Sequence, residues 1–161
     1  VTTTIVPMTC THPAFDRTAA LFDAYRVHYG LPSSPETTRS WLHDQLAQHR
    51  ISAAAAIQAD QVCGFVTAMV MPASLMLGTA WSIRDLYVAP RHRRSGIAHA
   101  LLQHVIHSAR AAGASRLSLQ TETDNVPALT LYTRAGFRPV TGLELLNLRL
   151  DPTPEDPGGT T

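Results

Sequence analysis

The stretch Arg84-Asp-Leu-Tyr-Val-Ala-Pro-Arg-His-Arg-Arg-Ser-Gly-Ile-Ala-His-Ala-Leu-Leu102 decides how the chain is read. Its first part belongs to a strand that runs from Ala80 to Val88 and that Pro90 ends. A turn rich in Arg follows and leads directly into a helix from Gly96 to Ala112. Ile97, Leu101, Leu102, Val105 and Ala109 fall on one face of that helix, and Gly113 stops it. A helix start leaves amide N–H groups without intrahelical acceptors, here from about Arg94 to Ala98. The helix adds about half a positive charge at that point. Gly96 and Ala98 let an anion come close to the backbone, while Arg91, Arg93 and Arg94 supply countercharge. Such a turn can hold a diphosphate.

Working outward, the chain has 161 residues, roughly one domain. With 45% apolar and 16% charged residues it has the composition of a folded globule rather than of a polyelectrolyte. All thirteen basic residues are Arg, so Schiff-base lysine catalysis, pyridoxal anchoring and a Walker A loop are excluded. The net charge of +1 gives no case for a nucleic-acid partner. Cys10 and Cys63 make no disulfide framework and are expected to be reduced. Val1 to Pro7 lacks the basic segment and apolar run of a signal peptide, and Val62 to Leu77 falls short of the ~20 residues of a membrane span. The expected setting is the cytoplasm, with no membrane partner.

Ile5-Val6 reads as a first strand, and Phe15, Thr18, Phe22, Tyr25 and Tyr29 mark a helix from about Pro13 to Tyr29. After the Leu31–Pro35 loop, Ser34 is placed as the cap and Pro35 as the first residue of a helix carrying Trp41, Leu42 and Leu46. The alanine run from Ile51 to Ile57 and the segment Val62–Met71 read as a hairpin around Ala59-Asp-Gln61. Beyond the central helix come a strand at Arg116–Thr121, a helix at Asn125–Ala135 closed by Gly136, and a final strand pair at Phe137–Val140 and Leu145–Leu150. Residues 151–161 read as a disordered tail.

Arg93-x-x-Gly96-x-Ala98 after such a strand resembles the pantetheine-diphosphate motif of the GNAT superfamily of N-acetyltransferases. A second segment, Asn125-Val-Pro-Ala128-Leu-Thr-Leu-Tyr132-Thr-Arg-Ala-Gly136-Phe137, is similar to that family's Asn-x-x-Ala…Leu-Tyr…Gly-Phe segment and lies at the expected distance downstream. The order of elements fits over about residues 3–150. Tyr25-Arg26…Tyr29 and Asp85-Leu-Tyr-Val88 look most like small bacterial members and the yeast histone and polyamine acetyltransferases.

The resemblance implies an α+β fold in one domain over residues 1–150, with a central, splayed, mixed and mostly antiparallel sheet flanked by about four helices. Acetyl-CoA or another acyl-CoA is the implied co-substrate, its pantetheine arm lying in the V between strands ending near Val88 and Thr121. Main-chain groups of Leu86 and Val88, which flank Tyr87, would pair with the arm. The turn of Arg93, Arg94, Ser95, Gly96, Ile97 and Ala98 would take the diphosphate. Asn125 stands either near the donor or as a helix cap, and Tyr132 is implied to be the general acid at the thioester sulfur. The resemblance places the first two helices over the acceptor, which makes His28, Tyr29 and the Leu31–Pro35 loop candidate acceptor contacts.

The chemistry asks for these roles. An alkylamine with a pKa near ~10.4 is protonated at pH 7, and exposing its lone pair costs roughly 4–5 kcal/mol. A thiol pKa near ~8.5 makes the thiolate a fair leaving group, so a Tyr hydroxyl need only donate as charge develops. Polyamine acetyltransferases often place a Glu just before the Asp-x-x-Val segment, where this chain has Arg84. Asp85, Glu122 and a water relay remain as bases, and Arg84 suits an anionic group of the substrate. His104 and His107 have no third ligand at metal-site spacing, so no metal is expected. Two rivals stand beside a small-molecule amine acetyltransferase: a non-catalytic acyl-CoA-binding homologue, and an enzyme fed by an acyl carrier protein. A homodimer is left open.

Overall fold

The helix that opens at Gly96 buries the five residues its pattern marks, Ile97, Leu101, Leu102, Val105 and Ala109. Each of its larger aliphatic side chains contributes about 1.5–3 kcal/mol by leaving water. In this computed structural model, which describes residues 1–151, it is α3, Ile97–Ala111. It packs on a five-stranded sheet of order β1-β2-β3-β4-β5, with β1 Thr4–Met8, β2 Ser52–Gln58, β3 Gln61–Ala73, β4 Gly78–Val88 and β5 Arg116–Ser118. Neighbours are antiparallel except β4 and β5, which are parallel. Helices α1, Phe15–His28, and α2, Pro35–Ala47, precede β2, and α4, Val126–Arg134, follows β5. The mixed, mostly antiparallel sheet with four helices is the expected α+β class.

Strand alternation sends neighbouring residues of β3 to opposite faces. Phe65 joins Phe15, Phe22, Leu42 and Leu46 of α1 and α2 in one core. A Cβ on Gly64 would meet the Tyr87 carbonyl oxygen at 2.8 Å and side-chain atoms of Ile97 and Leu101 at 3.2 Å, so glycine lets α3 close onto the other face. Coverage on both faces also explains the alanine run. Ala54, Ala55 and Ala56 are 0–2% exposed, and burial overrides the helix preference of alanine. Ala59 and Asp60 turn the hairpin with φ of 43° and 61°, the left-handed pair that a two-residue hairpin turn needs.

The chain divides into two compact units, Val1–Leu119 and the residues from Gln120 onward. Three expectations change. β5 spans Arg116–Ser118 rather than reaching Thr121. Residues 137–150 form no strand, because the alternating pattern finds no ladder of hydrogen bonds to complete it. Ser34 makes no side-chain cap; its amide donates to Asp23 instead. Of the tail expected at 151–161, all but Asp151 lies outside the described residues. Cys10 and Cys63 are free thiols, and among the described residues no helix is long and apolar enough to cross a membrane.

Candidate functional site

In the first unit, β4 leaves β5 after Ser82 pairs with Ser118, so its remaining length has no partner on that side among the described residues. Asp85 and Tyr87 lie opposite Thr67 and Phe65 of β3, and the Ala89 amide donates to the Cys63 carbonyl at 2.9 Å. Antiparallel pairing alternates, so the amides and carbonyls of Leu86 and Val88 point to the open edge. The Val88 carbonyl already accepts the Arg93 Nε–H at 3.0 Å. An extended chain laid along this edge therefore meets the Leu86 N–H and C=O and the Val88 N–H.

The register shift of β4 leaves Arg84 as the extra residue between Ile83 and Asp85. This bulge kinks the strand and leaves Arg84 exposed. Asp85, partly buried beside it, is held on both oxygens: Tyr25 Oη donates to Oδ1 at 2.9 Å and Thr67 Oγ1 to Oδ2. The carboxylate so ties α1 to β3 and β4.

Beyond β4, Pro90–His92 forms one turn of 3₁₀ helix before the chain enters α3. Arg94 and Gly96 have φ of 59° and 81°, and nothing lies within 4 Å of a Cβ built on Gly96. Open space thus lies beside the start of α3, whose first amides, including those of Ile97 and Ala98, have no intrahelical carbonyl to satisfy them. Ser95 stiffens the turn by donating to the His92 carbonyl at 2.5 Å. The arginines divide. Arg91 bonds Gln61 at 3.3 Å, and Arg93 is drawn back over the Tyr87 ring at 5.5 Å as well as to Val88. Arg94 is exposed and has no protein partner among the described residues. Sequence reasoning gave all three the task of countercharge.

An aromatic cluster occupies the same unit. Tyr25 packs on Tyr29 at 5.1 Å and Tyr87 at 5.4 Å, and His28 meets Tyr87 at 5.8 Å. Tyr29 and Trp41 are 46% and 48% exposed, so neither is a core residue. The residue that sequence reasoning missed is Asp23, buried on α1. It accepts from Ser33 Oγ at 2.6 Å, the Ser34 amide and Thr38 Oγ1 at 2.9 Å, and Arg26 at 3.3 Å. This network pins the Leu31–Pro35 loop to α1. An acid beside Phe22, three residues before an Arg and followed by a Ser-Ser pair, was the available signal.

These bonds, led by Ser33 and Ser34, hold the Asp23 carboxyl at a pKa of about 2, below its usual 3.8, although burial opposes them. The folded chain thus binds this proton less readily than the unfolded chain. The resulting stability is complete above about pH 4 and is lost as pH falls through about 2. Asp23→Asn should lower Tm at pH 7 and flatten the decline of Tm between these limits. A series of thermal melts checks this, and an unaltered acid limb would move the acid sensitivity to other carboxylates.

In the second unit, Asn125 caps α4, its Oδ1 accepting the Ala128 amide at 3.3 Å while its Nδ2 donates to Glu122 at 3.4 Å. Thr121 Oγ1 bonds the same Glu122 oxygen at 3.3 Å. Gly136, at φ 104°, ends the helix: its amide reaches the Thr133 carbonyl and the Phe137 amide reaches that of Tyr132 at 3.0 Å. Phe137 is thereby returned against the Tyr132 ring, 5.9 Å away. Burial, and secondarily His107, lowers the His104 pKa on α3 in the first unit. No group of three metal-ligating side chains occurs among the described residues.

Residues 18–137 match the pattern of the acetyltransferase (GNAT) family. The uncharacterized N-acetyltransferase YhfO of Bacillus subtilis is 30% identical over 124 residues, covering 77% of this chain and 83% of that one. Streptothricin acetyltransferase of Streptomyces lavendulae is 41% identical over 63 residues, 37% of this chain and 33% of that one. A crystal structure of a "probable acetyltransferase" superposes with a TM-score of 0.85 at 33% identity, covering 92% of this chain and 98% of its own.

Proposed function

The chain belongs to the acetyltransferase (GNAT) family, and from that premise we propose that it moves an acetyl or related acyl group from coenzyme A to an amine of a small molecule. The observation that carries this reading is the open left-handed turn at Gly96, at the start of α3, together with the unpaired edge of β4. The turn fits a diphosphate and the edge fits an extended pantetheine arm. In this reading the donor supplies an activated thioester, and residues 1–150 work as one domain.

Amides from Ser95 to Ala98 and the Arg94 side chain hold the diphosphate. Leu86 and Val88 align the arm by main-chain bonds. Tyr132 donates a proton to the departing sulfur as the amine attacks directly in a ternary complex; neither Cys10 nor Cys63 belongs to the site. Asp85 already serves two donors and is assigned to positioning Tyr25, which leaves Glu122 or an ordered water to receive the amine proton. Asn125 orients Glu122. Arg84, exposed at the bulge, suits a carboxylate on the acceptor. The partial match to streptothricin acetyltransferase supports a small-molecule acceptor.

Thiol release from acetyl-CoA with a broad panel of amines tests the proposal. Turnover with at least one amine is the expected result; CoA binding without turnover would make the chain a non-catalytic binder, and turnover only with carrier-protein thioesters would replace the donor. His28, packed between Tyr29 and Tyr87, gives a second expectation. His28→Ala should raise KM for the acceptor several-fold more than KM for acetyl-CoA. Equal changes in both, or loss of folding, would make His28 a packing residue.

A further inference from the structure

Within the first unit, α3 meets the sheet in two ways. At its start Gly64 lets Ile97 and Leu101 come against β3. About two turns further on, small side chains lie beneath it. Ala54 and Val66 are register partners on β2 and β3, as are Ser52 and Ala68, and all four lie on the face that α3 covers. Together with Pro7 of β1, Trp81 of β4 and His104, Val105 and Ser108 of α3, they line a cavity of about 210 Å³. Its polar groups are few. Ser52 Oγ donates to the Ala68 carbonyl at 3.3 Å and Ser108 Oγ to the His104 carbonyl at 2.9 Å, so both hydroxyl protons are committed. The Trp81 indole Nε1–H is buried and has no acceptor among the described residues. The lining includes no Arg, Asp or Glu, and burial, with His107 second, holds His104 below its usual pKa, so the imidazole is neutral at pH 7.

We propose that this cavity is a binding site for a neutral, apolar molecule the size of a substituted ring that carries one acceptor oxygen, with the Trp81 Nε1–H as donor to that oxygen. The size follows from the volume. An apolar cavity of about 150 Å³ already holds benzene, so 210 Å³ leaves room for a ring and a short substituent. Neutrality follows from the lining, because an ion taken out of water would find no countercharge there. The oxygen follows from the indole: a buried donor is normally paired, and a ligand that brings the acceptor recovers what the unpaired group loses. At about 1.5 Å per residue, His104 and Ser108 stand roughly 12 and 18 Å along α3 from Gly96, so the cavity is separate from the diphosphate turn. CoA is an anion and an alkylamine a cation at pH 7, and neither suits the neutral lining. The proposal therefore stands or falls apart from the catalytic reading.

The probe is acetophenone, a ring with a carbonyl acceptor and no donor of its own. In nitrogen–proton correlation spectra of the whole chain, its addition should move the Trp81 indole signal along a saturable curve and leave that of Trp41 in place; Trp41→Phe tells the two apart. Nuclear Overhauser contacts are expected from the probe methyl to the methyl groups of Ala54, Ala68 and Val105. Ala68→Leu fills the cavity from β3 and should weaken binding by about tenfold or more. Ser108→Leu fills it from the part-exposed side of α3 and should do the same where Ala68→Leu does not fold. Benzoate, of similar shape but negatively charged, should bind about tenfold or more weakly than acetophenone. No saturable shift up to the solubility limit of the probe, equal shifts of both indole signals, a folded leucine variant that binds as the wild type does, or benzoate bound as tightly as acetophenone would overturn the proposal.

Discussion

Replacing Tyr132 with Phe is expected to lower kcat roughly 10- to 100-fold while leaving stability and CoA affinity nearly unchanged. The ring contact with Phe137 survives in the variant, as does the backbone bond from the Phe137 amide to the Tyr132 carbonyl. What is lost is a hydroxyl able to donate to sulfur as the thioester breaks. General acids typically contribute on the order of 100- to 10,000-fold. A thiolate is already a good leaving group, and water can donate in its place, which puts the expected loss at the lower end. The measurement must be made where chemistry, not product release, limits turnover, by comparing single-turnover and steady-state rates. Wild-type kcat in the variant would reduce Tyr132 to a packing residue of α4 and return the proton transfer to solvent.

Where burial alone sets structure, the sequence could be read correctly. The five apolar residues at helical spacing on α3 are the five it buries, and the alanine run resolves as a strand because both of its faces are covered. Features set by a partner distant in sequence were not readable. Asp23 looks like a surface acid until Ser33, Ser34 and Thr38 are brought around it by the α1–α2 turn. Arg93 reads as free countercharge, yet its guanidinium finds both the Val88 carbonyl and the Tyr87 ring. Arg84 shows in sequence only as a missing acid; that it is the extra residue of a bulge follows from a pairing register that no local pattern encodes. Residues 137–150 show the converse, since a strand pattern read from alternation there corresponds to no strand.

Gly96→Glu is expected to weaken CoA binding by at least tenfold, about 1.4 kcal/mol, in a protein that still folds. Two effects combine at this position and can be separated. Its φ of 81° is a conformation that side-chain-bearing residues adopt at a cost of roughly 1–2 kcal/mol, so Gly96→Ala tests backbone strain alone. The absence of any atom within 4 Å of the added Cβ means that the β-carbon of either variant meets no steric clash. If the proposed diphosphate site is right, the glutamate then places bulk and negative charge at the start of α3, where it opposes the half positive charge of the helix start. Alanine should therefore cost Tm and little affinity, and glutamate should cost affinity beyond its effect on Tm. Calorimetric titration with CoA, and with dephosphorylated pantetheine as a ligand lacking the diphosphate, separates them further. The glutamate penalty should appear for CoA and vanish for pantetheine. An equal loss for both ligands would mean that the substitution disturbs the β4 edge instead, and the diphosphate would have to be held elsewhere.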